Sequence, residues 1–209
     1  MRISPLIVIL LLVGLPAKAA DYQAVGASYR FLGLPDFTIS STFEAHQPVL
    51  LHGATLHYSR GNWKGHWGLS LAFGGTTIAD GFWQAAKAEA SSAVWVEYEI
   101  GFVGAVATYT WRLPIWRDLF FAPTLGVGLA AVLGDIYATE VLPGCEGDVN
   151  KCGHWRNVTR HPVDLSNRIM PILQASGQLG YRITEEFMVG LDFGLLNVPF
   201  TGITAEYAL

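Results

Sequence analysis

From residue 22 onward, apolar and polar residues alternate with a period of two, in runs separated by segments rich in turn-forming residues. Neighbouring side chains on a strand point to opposite faces, so the pattern predicts strands with one greasy and one mixed face. Eight runs stand out: 22–32, 49–60, 65–75, 92–111, 118–134, 167–183, 187–196 and 201–209. In the first, Val25, Ala27, Tyr29 and Phe31 oppose Gly26, Ser28 and Arg30; in the seventh, Val189, Leu191 and Phe193 oppose Gly190, Asp192 and Gly194.

The run AVWVEYEIGFVGAVATYTW, 93–111, has the length of a membrane helix, but it carries Glu97 and Glu99. A helix would turn these two acids roughly 200° apart and drive one of them into lipid at about 3 kcal/mol. Read as a strand, the segment has a greasy face of Val94, Val96, Tyr98, Ile100, Phe102, Gly104 and Val106. That assignment turns Glu97 and Glu99 inward, together with Gly101, Val103, Ala105, Ala107 and Tyr109. Unpaired buried charge is costly, so the inward acids Glu97, Glu99, Asp192 and Glu206 require partners among Arg30, His57, His66 and Arg182.

The connections carry an independent signal. Those at 33–48, 76–91 and 135–166 are long, whereas those at 61–64, 112–117 and 184–186 are short; only 197–200 breaks the alternation. Short turns on one rim and long loops on the other are the arrangement of a membrane barrel. The predicted fold is therefore all-β, an eight-stranded antiparallel up-and-down transmembrane β-barrel. Aromatic residues near the run ends, among them Tyr22, Trp63, Trp67, Trp111, Trp116, Phe120, Phe187 and Tyr207, suit interfacial girdles. The connection TTIADGFWQAAKAEASS is compatible with a short helix capped by Asp80, with Phe82 and Trp83 packing on the rim or the membrane.

Before residue 22 the pattern changes. Arg2 precedes the apolar run LIVILLLVGL, then Pro16 and a small-x-small site ending at Ala19. This reads as a signal peptide, 1–19, removed on export, with 20–209 as a single barrel domain. Cleavage removes Arg2 and Lys18, which takes the formal net charge from -4 to -6. No basic stripe interleaved with aromatics is present, so no nucleic-acid partner is expected. Cys145 and Cys152 are the two cysteines, and oxidising conditions outside the cytoplasm favour a disulfide between them.

The signal MRISPLIVILLLVGLPAKA, the eight alternating segments and the ending GITAEYAL together resemble the small outer-membrane β-barrel proteins of Gram-negative bacteria. The resemblance covers the whole mature chain and implies residence in the outer membrane, contact with its lipid and lipopolysaccharide, and delivery by the outer-membrane insertion machinery. It also implies a structural or surface-interaction role, with another envelope protein as an eligible partner. Such barrels commonly end in an aromatic residue; here Ile203, Ala205 and Tyr207 keep the alternation, but Leu209 ends the chain.

Candidate chemistry is sparse. His57 and Ser59 in LHYSRGNWKG look like the His-x-Ser of outer-membrane lipid A deacylases, in which His activates a Ser nucleophile. Arg60 replaces the Asn expected next, and no Glu follows at that family's spacing. A narrow solute channel is the other alternative to a non-enzymatic role. In CEGDVNKCGHWRNVTRH, Cys145, Cys152, His154 and His161 have zinc-ligand chemistry, but the disulfide competes for both thiols. No metal or cofactor is expected. Arg156, Arg160 and Arg168 in and beside this loop are the expected contacts to lipopolysaccharide phosphates, since the arginine fork suits them.

Overall fold

A computed structural model describes residues 22–142, 145, 148–153, 160–164 and 168–209. The expected signal peptide and Arg156 lie outside these residues, as does His154. No helix among the described residues is long and apolar enough to cross a membrane.

The strands are β1 (Tyr22–Gly33), β2 (Phe43–Ala45), β3 (Leu50–Asn62), β4 (Gly65–Thr76), β5 (Gly81–Ala85), β6 (Val94–Trp111), β7 (Leu113–Trp116), β8 (Leu119–Glu140), β9 (His161–Pro162), β10 (Ile169–Arg182), β11 (Phe187–Leu196) and β12 (Val198–Ala208). A five-residue helix, α1 (Asp36–Ser40), lies between β1 and β2. Eight of the strands pair antiparallel in the order β6-β4-β3-β1-β12-β11-β10-β8, and β6 pairs with β8 to close the ring. All eight predicted runs are strands. β8 runs on to Glu140, well past the predicted end, because it stays paired with a β6 that also outgrows the barrel.

The register fixes the barrel's size. Leu129 is opposite Ala105, and the partners continue through Leu71, Leu56, Ala27, Ala205, Val189 and Tyr181 back to β8, at Leu119. One circuit thus displaces the chain by ten residues, from 129 to 119. With eight strands about 4.7 Å apart and about 3.3 Å per residue, this sets a tilt of about 41° and a backbone radius of about 8 Å. Side chains fill such an interior.

The outward positions are apolar on every wall. Val25 and Phe31, Leu56, Leu71 and Phe73, Val103, Val127 and Leu129, Leu173, Leu191, and Ile203 are all exposed. At the rim where β1 begins and β12 ends, Trp67, Tyr109 and Trp111 form an edge-to-face ladder with 4.7 Å between successive rings.

In β6 the faces are the reverse of the expected ones. Val106 is 3% exposed and faces the lumen, whereas Val103 is 44% exposed and faces out. The greasy face of this strand is therefore internal, with Thr108 and Thr110 completing it. Pairing with Leu71 and Leu129, both outward, forces Ala105 outward, and the parity carries through to Glu99 and Glu97. These two acids do not enter the lumen.

Above the barrel, β6 and β8 rise as a two-stranded wall widened by β5, β2 and β9 into a crown. The expected helix after Asp80 is instead the strand β5. The free edge of β6 offers it backbone partners, and Asp80 accepts a hydrogen bond from Tyr98 N rather than capping a helix. Phe82, Ala93, Val141 and Val149 form a small apolar core there, packed against the Cys145–Cys152 disulfide, whose Cα atoms are 5.7 Å apart.

Candidate functional site

Two clusters of polar side chains are candidates. The first fills the lower lumen. Arg112 follows Thr108 and Thr110 along the inner face of β6, and is 2% exposed. Its Nη2 donates to Glu206 Oε1 at 2.8 Å. Its guanidinium lies over the rings of Trp63 (4.4 Å), Tyr22 (4.5 Å) and Phe120 (5.3 Å). Glu206 also accepts a hydrogen bond from the Tyr22 hydroxyl, and His57 Nε2 stands 3.9 Å from its other oxygen. Gly26 opposite His57 leaves room for that ring, since a Cβ there would collide with it. Arg182 also stacks on Trp63, at 4.1 Å, so one indole serves two cations. Such contacts contribute about 2 kcal/mol each when desolvated.

Higher in the lumen, Arg30 reaches Asp192 at 3.4 Å and lies over Phe200, while Thr204 donates to Asp192. A cavity of about 70 Å³ lies among Arg30, His57, Ser59, His66, Gln174 and Asp192, a volume for a few water molecules. Below it sits the Arg112 cage, and above it the apolar layer of Val106, Ala130 and Ile172.

Arg30, His57, His66, Arg182, Asp192 and Glu206 thus lie on inward positions. Arg112 was missed, because reversing the faces of β6 put it on the lipid side of the count. Tyr22, Trp63 and Phe120, assigned by sequence to a girdle, instead wrap this arginine. Ser59 is buried on the same inner face as His57. The pair thus faces the lumen and not the barrel's outer surface.

The second cluster covers the outward face of the crown, directly above the apolar belt. Arg160 Nε donates to Glu97 Oε2 at 2.7 Å, its Nη2 is 3.8 Å from Glu99, and its guanidinium lies 3.5 Å over the Tyr137 ring. The hydrogen bond to Glu97 raises the Arg160 pKa above its already high ordinary value, so the group stays charged. Arg168 donates to Asp135 at 2.7 Å and to the Gly134 carbonyl at 3.0 Å. Two of the three expected lipopolysaccharide contacts, Arg160 and Arg168, are therefore already engaged with carboxylates of their own chain, and Arg156 lies outside the described residues. The described residues hold no group of three or more His, Cys, Asp or Glu side chains suited to a metal ion.

The charge is unevenly distributed between the two ends. By sequence, segments 34–49, 76–101 and 133–168 carry eleven acidic and five basic residues, which is -6, and their described residues, ten acidic and four basic, lie on the crown side. The rest of the chain from residue 20 carries six of each.

No protein-family model matches the chain, and no curated protein matches its sequence. Among solved structures it is similar to Neisserial surface protein A, at 8% identity and a TM-score of 0.47, over 92% of this chain and 99% of that one. It is also similar to Ail, the attachment invasion locus protein of Yersinia pestis, at 13% identity and a TM-score of 0.46, over 90% and 98% of the two chains. Likeness at this level assigns no role.

Proposed function

We propose that the chain is an integral outer-membrane β-barrel with a non-enzymatic, surface-interaction role, and that the crown is its working part. The observation that carries this reading is the contrast along the barrel axis. An apolar belt covers all eight walls, and beyond one end of it only two strands continue, into a braced, acidic platform. Soluble proteins do not expose a continuous apolar girdle of this extent, whereas hydrocarbon requires one. The filled lumen argues against general solute transport.

On this reading the crown points outward from the cell, and the rim where β1 begins and β12 ends faces the periplasm. Lipopolysaccharide headgroups would surround the foot of the crown. There Arg160 and Arg168 would offer phosphates the N–H donors left over from their carboxylate pairs, as Arg156 could by its charge. Insertion would fall to the outer-membrane insertion machinery, and another envelope protein is an eligible crown partner.

The test is impermeant thiol labelling of intact cells, with single cysteines introduced at Ser91 in the crown and Thr184 in a short turn. Ser91→Cys should label in intact cells and Thr184→Cys only after lysis. The opposite result reverses the orientation, and absence from the outer-membrane fraction overturns the reading. The lipid A deacylase alternative predicts altered lipid A by mass spectrometry on expression; unchanged lipid eliminates it.

A further inference from the structure

The outer face of the β1–β3 wall carries a polar pair in a place where hydrocarbon should be its only neighbour. Tyr29 and His52 both hold outward positions, and the Tyr29 hydroxyl lies 2.7 Å from His52 Nδ1. Phe31, 59% exposed, sits opposite His52 on β1 and packs edge-to-face on Tyr29. Leu50, also exposed, is the next outward residue above His52 on β3. At about 3.3 Å per residue and a tilt of about 41°, His52 lies about 5 Å nearer the barrel's middle than Leu50. The dyad is therefore flanked by apolar groups and sits inside the upper edge of the belt, below the level of Asp135 and Glu99.

One ring nitrogen of His52 is bound by Tyr29, and no partner for Nε2 occurs among the described residues. A polar group facing lipid without a hydrogen bond is penalised, since no water is available to replace the partner. Just beneath the headgroups, a bilayer supplies acceptors in the form of ester carbonyls. Those acceptors select the tautomer in which the Tyr29 hydroxyl donates to Nδ1 and Nε2 carries the proton.

Resting on the membrane placement above, we propose that Tyr29 and His52 form a lipid-recognition site in the outer leaflet. In it, His52 Nε2–H donates to an acyl-ester carbonyl while Phe31 and Leu50 pack along the attached chain. Tyr29 is the positioning residue that fixes the tautomer.

The experiment uses the mature chain, with isotope-labelled histidine, in bilayers of diester phosphatidylcholine and of the matching diether lipid, which lacks carbonyls. The chain has six histidines, so His52→Gln assigns the signal. The expected result is a hydrogen-bonded Nε2–H resonance for His52 in ester lipid that shifts in ether lipid, and a mixture of tautomers in Tyr29→Phe. An identical His52 resonance in both lipids overturns the proposal, as does rapid exchange with water. Spin labels at Val127 and Leu173 separate this from failure of the membrane placement. If they report hydrocarbon while His52 ignores the carbonyl, only the dyad proposal is lost; if they report water, the membrane reading falls as well.

Discussion

Two arginine–glutamate pairs in this molecule have nearly the same contact distance and opposite surroundings. Arg112 and Glu206 meet at 2.8 Å, with side chains 1% and 6% exposed, beneath three aromatic rings. Arg160 and Glu97 meet at 2.7 Å with side chains 35% and 7% exposed, so the carboxylate is buried while the arginine rests on one ring at the edge of solvent. Distance alone therefore says little about what a pair contributes. Inside, among the described residues, each charge is the only full opposite charge in contact with the other, with Tyr22, His57 and three rings as weaker support. On the crown, water reaches the arginine, while Glu97 stays buried. The lower pair holds the barrel's floor in one arrangement, while the upper pair shapes a surface that can rearrange at small cost.

The largest expected effect follows from breaking the inner pair on one side only. Arg112→Leu leaves Glu206 buried with only His57 and Tyr22 nearby, and should lower unfolding stability by about 3–5 kcal/mol. Urea titration of the heat-modifiable band measures this. The double variant Arg112→Met with Glu206→Leu should recover most of the loss, because buried pairs are often replaceable by apolar ones of similar volume. A double variant as weak as the single would mean the pair itself, rather than the orphaned charge, governs stability. Next in size is Trp63→Ala, which removes the ring shared by Arg112 and Arg182, at about 2 kcal/mol from cation–π contact plus lost packing.

The fold was legible because the period-two alternation holds in most strands and the parity of the connections in all but the last, and the two constrain one another. The lumen was legible wherever one face of a strand was clearly more polar than the other, as at Ser28 and Arg30 or at Gln174 and Ser176. β6 misled because its outward face is Val103, Ala105 and Ala107, while its inward face at the same level is Gly104 and Val106. Neither set is polar, so Glu97 and Glu99 decided the sorting. Those acids stand on the crown, where Glu99 is exposed and the buried Glu97 is paired with Arg160. Continuing the correct parity to residue 112 would have revealed the buried arginine. The crown was less legible. Its strands form on an edge that exists only because β6 and β8 both outgrow the barrel, and no local pattern around Asp80 announces that.

The disulfide sharpens the division between floor and crown. Replacing Cys145 and Cys152 by Ser should cost roughly 2–3 kcal/mol on the chain-entropy model, confined to the segment around Val149 and its contacts with Phe82 and Val141. Protease nicking of the crown should accelerate, while the barrel's urea midpoint stays unchanged. A matching fall in that midpoint would make floor and crown one cooperative unit.

The smallest effect is expected at the outer pair. Arg160→Gln removes the donor to Glu97 and the stacking on Tyr137, but the site opens to water on the arginine's side. The barrel's unfolding midpoint should not move. Amide exchange at Glu97, Glu99 and Tyr137 should quicken, because the two wall strands lose the cation that spans them. Raising the ionic strength to about 1 M, where the screening length is about 3 Å, should produce the same quickening in the unsubstituted chain. Salt should leave the Arg112 floor untouched, since no electrolyte reaches it. A midpoint in Arg160→Gln that falls as far as in Arg112→Leu would contradict this ordering, and would show that the crown's outer face is as tightly coupled to the barrel as its floor.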